Sequence, residues 1–434
     1  MTSKPLFVYL QRPDTGEWVT VGRYLLDKTS NAGHFRYAPS YERAGLSWSI
    51  DPVNLPFIAG AERIAPRYNG LHDVLRDACP DAWGKMLIQR EHGIPSDAHD
   101  SRYLYLAGNA DRWGALAVGP SRNPSIAMLA NPRLPQLDAL AQELIAISER
   151  RPPIDARLRK RLVATPSLGG ARPKATVQDA QQFWLVKPYL PSDTADIPLL
   201  EHFTQQWGIA CGLNFAKTVH HKLGDGLSVV RVLRFDRHAD RRIMALSGAS
   251  LLETEYPGGR TETSRWSYPR LAEELKRIGA PVEDRLELFG RMVFNAIVGN
   301  DDDHPRNHAV IFNADEKRWR LSPAFDVVPN PDEMPRTLTL QLSLGRHDIS
   351  REAILADGLR FGFDNRDAAA LFLDALLERI RYAFPIVEDI LSGELRALMG
   401  RRLQDNIKIL SCGSDSAHTT TSAIVNNKKA KSNQ

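Results

Sequence analysis

The patterning of apolar residues changes kind part-way along the chain, and that change limits the folds open to it. Up to about Ala249 much of it is strand-like. Leu6–Leu10 and Trp18–Tyr24 flank Pro13–Gly16, a turn in which proline fixes φ and glycine accepts a positive φ. Phe183–Val186 and Leu227–Leu233 are further strand candidates, and Tyr103–Leu106 with Gly114–Val118 form a strand-like region. Helices are predicted here around Leu71–Arg90, through Leu137, Leu140, Leu144 and Ile147, and near Leu199–Gly212. Beyond Ala249 the period turns helical, over Arg270–Ile278, Leu286–Val298, Asp367–Ala383 and Ile386–Leu410. Strands first and helices later predict an α+β fold of two lobes. At 434 residues the chain also exceeds the roughly 250–300 at which one core stops growing.

Composition removes other classes. A chain 43% hydrophobic and 25% charged is neither collagenous nor wholly disordered. Cys79, Cys211 and Cys412 lie far apart with no CxxC, so zinc and disulfide frameworks fail on spacing. No apolar run approaches the roughly 18 residues of a membrane span, and MTSKPLFVYL lacks a leader's cleavage pattern. The expectation is a cytoplasmic protein that does not enter a membrane. Residues 411–434 are poor in apolar side chains and are expected to be disordered. The net charge of +4 conceals a concentration, since Arg150–Lys174 alone carries +7.

The densest polar cluster is Gly299-Asn-Asp-Asp-Asp-His-Pro-Arg-Asn307, at the end of an apolar helical pattern. Acids at a helix C-terminus oppose the macrodipole, so stability gives them no reason to be there. A catalytic loop does: one Asp takes a proton, while a later Asn offers a hard oxygen to Mg²⁺. Asp326, one hairpin downstream after Phe325, is a second candidate carboxylate for the ion. Taken alone, an Asp in that position is more often a turn or cap residue.

Upstream, Ser167-Leu-Gly-Gly-Ala-Arg-Pro-Lys174 can wrap a phosphate, because paired glycines let backbone N–H groups approach an anion. It is not a Walker A loop, and in isolation a surface loop explains it as well. Lys187 ends the apolar run Phe183–Val186 and requires an anionic partner, either a nucleotide phosphate or a carboxylate such as Glu201; a lysine reaching solvent is the plain alternative.

The order of these parts, loop, strand lysine, helix glutamate, Asp/Asn loop and Asp, is that of protein kinases. With the motifs in hand, the chain resembles the HipA family, serine/threonine kinases that are the toxins of type II toxin–antitoxin pairs, from about Leu6 to Leu410. That family's Ser-x-x-Gly-Ala-x-x-Lys loop reads Ser167–Lys174, and its lysine strand Val186-Lys187-Pro188. Its hinge motif reads Val232-Leu-Arg-Phe-Asp-Arg237, its catalytic loop Asp302-Asp-His-Pro-Arg-Asn307, and its metal aspartate Phe325-Asp326. Phe35–Pro39, Pro80–Trp83 and Gly108–Ala115 resemble its N-terminal region.

The resemblance implies a two-lobed protein-kinase-like fold. An extra N-terminal subdomain would occupy 1–120, the kinase N-lobe 121–245, the helical C-lobe 246–410 and a tail 411–434. It implies ATP and Mg²⁺ as cofactors, Asp302 as catalytic base, and Asn307 and Asp326 as metal ligands. Gly169, Gly170, Ala171, Arg172, Pro173, Lys174 and Lys187 would hold the phosphates. Leu233, Arg234 and Phe235 would meet the adenine through the main chain, with Leu233 where the family has an acid. His304, Pro305, Arg306 and Phe325 complete the nucleotide site, His304 chiefly orienting the loop. Ser167 matches the family's autophosphorylated serine, where a phosphate beside the cradle would repel ATP and silence the kinase.

Implied partners are a helix-turn-helix, HipB-like antitoxin dimer, operator DNA through that antitoxin, and a protein substrate, for which the family offers aminoacyl-tRNA synthetases. Three rivals use some of the same residues. They are a small-molecule phosphotransferase, a degenerate kinase kept as a DNA-bound co-repressor scaffold, and a metal-dependent hydrolase or nuclease built on Asp301–His304. The last leaves Lys187 and the phosphate loop unexplained. The +7 segment then divides: Arg172 and Lys174 face a nucleotide, while Arg157, Arg159, Lys160 and Arg161 either steer an anion or line a solvated helix.

Overall fold

The computed structural model describes residues 4–65, 67–126, 131–164 and 170–411. The tail after Ser411 and two predicted site residues, Ser167 and Gly169, lie outside the described residues.

The N-terminal subdomain is a five-stranded antiparallel sheet in the order Glu62–Ala65, Ala32–Tyr37, Trp18–Asp27, Leu6–Gln11, Leu116–Gly119. The predicted hairpin is present: Leu6 faces Tyr24, Gln11 faces Trp18, and Gly16 takes φ +78° in the turn. Val8, Leu10, Val21 and Phe35 bury one apolar face in the same core as Leu71, Val74 and Leu75.

Two expectations fail here. The single helix over Leu71–Arg90 is two, Asp73–Asp77 and Ala82–His92. Pro80 lacks an N–H and disfavours helical backbone at the residue before it, so the first helix stops there. Asp81 then caps the second, accepting from the Gly84 N–H at 2.7 Å. Tyr103–Leu106 is not a strand but the end of helix Asp100–Leu106. Its alternation spans only four residues, too short to separate the periods, and His99 caps the helix with a ring nitrogen.

The second sheet is four-stranded, in the order Ala175–Asp179, Gln182–Pro188, Ser228–Leu233, Thr218–Lys222. Helix Ile197–Ala210 packs against it, and helices Leu137–Ser148, Ala156–Ala164 and Ala82–His92 join a core of Trp83, Leu87, Leu144, Val177 and Val186. Past Ser247 the chain is mainly helical. Helix Val282–Val298 is buried continuously from Leu288 and runs through the middle of this lobe, with Tyr268–Arg277, Arg366–Val387 and Gly393–Ser411 packed on it. A small sheet, Ala245–Ser247, Ala309–Asn313 and the predicted Arg318–Leu321, sits beside the cleft. The fold is thus α+β, with two kinase-like lobes and an added N-terminal sheet.

Within the basic segment Arg150, Arg151, Arg157 and Lys160 are exposed, whereas Arg159 is committed within the fold. Arg159 pairs with the buried Glu143 and also donates to the carbonyls of Arg151 and Pro152. Arg90 donates to the Ile147 carbonyl at 3.1 Å and so caps the end of helix Leu137–Ser148. Among the described residues, no helix is long and apolar enough to cross a membrane.

Candidate active site

Lys187 lies on the second strand of the four-stranded sheet, whose other residues place its apolar stem between two lobes. Its ammonium donates to Glu201 Oε1 at 2.7 Å, from helix Ile197–Ala210, and to Asp326 Oδ1. Burial opposes a charge on all three groups. For Lys187 the two carboxylates prevail and raise its pKa; for Asp326, Lys187 and Lys174 prevail and lower it; for Glu201 burial prevails and raises it. Asp326 sits at φ +55°, a region that Asp tolerates better than most side chains, and its pairing with Lys187 helps to hold it there.

The Asp-rich loop follows from how its helix ends. Gly299 takes φ +75° as the left-handed cap of Val282–Val298 and turns the chain out. The three acids then part company. Asp301 accepts from Asn330 Nδ2 at 3.0 Å. Asp303, 1% exposed, accepts from the Tyr268 hydroxyl and the Thr339 N–H, each at 2.7 Å, and from the Leu340 N–H at 3.3 Å. Asp302 is the one whose carboxylate faces open space, its side chain 70% exposed. Partial loss of water against the surrounding walls, with the charges of Asp326 and Asp301, pushes its pKa up to about 6, against a hydrogen bond from Tyr256.

Asn307 donates through Nδ2 to the Asp302 carbonyl at 2.8 Å, which leaves its amide oxygen available. That oxygen and the Asp326 carboxylate border one cleft and suit Mg²⁺, which binds through one or two protein oxygens and completes its shell with water and phosphate. The described residues hold no group of three or more His, Cys, Asp or Glu placed for a metal. His304 is kept neutral by burial, its pKa lowered to about 4, and stacks on Tyr256 with ring centroids 3.7 Å apart.

The cleft has a volume of about 550 Å³. Of the predicted residues it brings together Gly170, Ala171, Lys187, Leu233, Arg234, Phe235, His304, Arg306, Asn307, Phe325 and Asp326. Phe235 and Phe325 meet there with centroids 5.2 Å apart. Other predicted residues are placed differently. Arg172 is turned to Asp193 in a two-pronged pair at 2.6 Å, so its charge is met inside the protein. Lys174 is buried under the loop, 3.8 Å from Asp81, and burial lowers its pKa. Pro173 is buried as well, and Pro305 opens the turn behind the cleft wall.

At the hinge, the Leu233 N–H goes to the Lys217 carbonyl at 2.8 Å and the Arg234 N–H to the Phe183 carbonyl at 2.9 Å. Main-chain recognition of a base cannot come from these two donors. The Arg234 guanidinium is engaged within the protein, by Asp111, Thr176 and Asp236.

Glu255, Tyr256 and a wall from the N-terminal subdomain, including Asp81, Lys85 and Trp113, also line the cleft. Sequence reasoning missed them, since nothing in the spacing of Glu255-Tyr-Pro-Gly258 ties it to a loop some 46 residues on.

Comparison with known proteins bears on the fold and the family. The model of the HipA-like C-terminal domain matches residues 166–383, half of the chain. A chain of the Shewanella oneidensis MR-1 toxin–antitoxin complex of HipA, HipB and its operator DNA superposes with TM-score 0.69 at 17% identity. The superposition covers 94% of this chain and 96% of that one, so the fold is shared throughout. Y4mE of Sinorhizobium fredii (strain NBRC 101917 / NGR234), which bears a provisional kinase name, is 30% identical over 151 residues, 31% of this chain. That match spans about a third, 34%, of Y4mE's own length. By the domain that covers residues 166–383 and the fold that continues on both sides of it, the chain belongs to the HipA family.

Proposed function

We propose that the chain is an ATP- and Mg²⁺-dependent protein serine/threonine kinase acting as the toxin of a toxin–antitoxin pair. The observation that carries the reading is Lys187 held between Glu201 and Asp326 in the same cleft as Asn307, with Asp302 bonded to Tyr256 of the cleft lining. Lys187 can transfer one of its bonds to a phosphate while Glu201 keeps its position. Asn307 and Asp326 would hold Mg²⁺, which when bound neutralises charge on the phosphates. Asp302, with one oxygen free, orients the incoming hydroxyl and accepts its proton. Gly170 and Ala171 let main-chain groups approach the phosphates, and the low-dielectric cleft strengthens each of these contacts.

Family membership supports a biological setting for this activity. A HipB-like helix-turn-helix dimer would bind the chain and link it to operator DNA; the similar Shewanella structure is a complex of HipA, HipB and its operator DNA. The target is a translation-related protein, with an aminoacyl-tRNA synthetase the first to test. Phosphorylation of Ser167 would switch the kinase off.

Incubation with labelled ATP and mass spectrometry tests the reading. Phosphate is expected on Ser167 of the wild type and absent from Asp302→Asn. Turnover of a sugar or amine without self-modification would replace the protein kinase by a small-molecule phosphotransferase. Growth arrest retained by Asp302→Asn would favour the scaffold reading instead.

A further inference from the structure

We propose that Tyr256 is a positioning residue for Asp302, and that the N-terminal subdomain bears on the reaction through it. The inference rests on the kinase reading and adds a residue that reading does not use. The Tyr256 hydroxyl donates to Asp302 Oδ1 at 3.3 Å. His304 Nε2 also lies near the carboxylate, at 3.8 Å, beyond hydrogen-bond distance. An exposed carboxylate without a donor samples several rotamers. Tyr256 selects one of them and leaves the second oxygen for a substrate hydroxyl.

The tyrosine is itself fixed from three directions. Its ring stacks on His304, with centroids 3.7 Å apart and planes at 26°, and meets Trp266 at 5.4 Å on a tilt. Its N–H donates to Glu255 Oε1 at 2.8 Å. That carboxylate is gripped by Arg306 of the catalytic loop, at 2.8 and 2.6 Å, and by Arg76 of helix Asp73–Asp77. Arg76 is 5% exposed, pairs with Asp73 at 2.7 Å, donates to the Thr254 carbonyl at 2.9 Å and lies 3.7 Å over the Tyr68 ring. A continuous set of contacts therefore runs from the N-terminal subdomain, where Arg76 is buried, to the exposed base. A tyrosine serving only as packing would need its ring and not its hydroxyl.

Tyr256→Phe keeps the ring and removes the hydroxyl alone. The expected result is a kcat about tenfold lower, the scale of one hydrogen bond to a charged group, with KM for ATP and the melting temperature unchanged. In an Asp302→Asn background, followed by single-turnover transfer from labelled ATP, the same change is expected to have no further effect, because the residue acts through that carboxylate. A kcat equal to wild type in Tyr256→Phe, or an equal loss in both backgrounds, overturns the inference while leaving the kinase reading standing. A wild-type chain that transfers no phosphate removes both.

Discussion

Replacing Lys187 with methionine tests the electrostatic centre of the cleft without reference to any substrate. Methionine preserves the apolar stem and deletes only the charge. What remains is Glu201, 2% exposed, and Asp326, both previously bonded to the missing ammonium. Removing one partner of a buried ion pair costs about 3–5 kcal/mol, because the other charge is left without compensation. Glu201 can escape part of that penalty by taking a proton, and burial already holds its pKa above the usual range even with Lys187 in place. Holding a proton above the pKa costs about 1.4 kcal/mol per pH unit, so the escape is easier in acid.

The sign follows from linkage. In the variant, Glu201 has a folded pKa raised above its unfolded value. The stability attached to it is therefore full below the unfolded value and is lost as pH rises through the folded one. The deficit relative to wild type should be at least about 3 kcal/mol at pH 7.5 and shrink by about 1–2 kcal/mol at pH 5.5. Urea unfolding of both proteins at the two pH values, with m-values checked for agreement, measures it. A deficit below about 1 kcal/mol at pH 7.5, or one that grows towards acid, would refute the reasoning.

The other predictions concern groups whose surroundings differ sharply within a few residues. Asp302→Asn should lower transfer about a thousandfold, to a rate followed only in single turnover, and leave unfolding within about 0.5 kcal/mol of wild type, whereas Asp303→Asn should cost about 2 kcal/mol, because Asp303 satisfies Tyr268, Thr339 and Leu340. The reverse order in urea unfolding would exchange their roles. His72 is 4% exposed, bonded to the Arg63 carbonyl at 3.2 Å, and burial lowers its pKa to about 4. Its stabilisation is present above about pH 6.5 and declines towards pH 4 at about 1.4 kcal/mol per unit, so His72→Gln should flatten the acid slope between pH 6.5 and 5. An unchanged slope would mean that His72 is already charged in the fold.

How far the sequence spoke depended on the range of the interaction concerned. The hairpin at Pro13–Gly16, the Lys187 strand and strand Arg318–Leu321 were legible because periodicity and turn chemistry act within a few residues. The Leu71–Arg90 helix was misjudged by giving its apolar pattern more weight than Pro80, a strictly local breaker. Tyr103–Leu106 shows the opposite case, an alternation too short to decide between periods. The site was legible where motifs are contiguous, as at Asp302–Asn307. It was not legible where a side chain's direction is set by a distant partner: Arg172 meets Asp193 rather than the cleft, and Lys174 sits beneath the loop near Asp81. Nor does any local rule join Glu255 to Arg76, which are 179 residues apart.

The hinge shows why such long-range partners matter to mechanism. In Val232-Leu-Arg-Phe-Asp-Arg237 the charged residues face the N-terminal subdomain. Arg234 reaches Asp111 and Thr176 while gripping Asp236, which accepts from the Gly114 N–H at 2.9 Å. Arg237 donates to the Gly114 carbonyl at 3.0 Å and to that of Arg112. Burial opposes the charge of Asp236, but Arg234 and Arg237 outweigh it and hold its pKa far below the usual range, so the cluster stays ionised. Taking one member out leaves buried charges unmatched, a cost of several kcal/mol that also resists any rotation separating these groups. A segment tied in this way to both the four-stranded sheet and the N-terminal subdomain is a poor pivot.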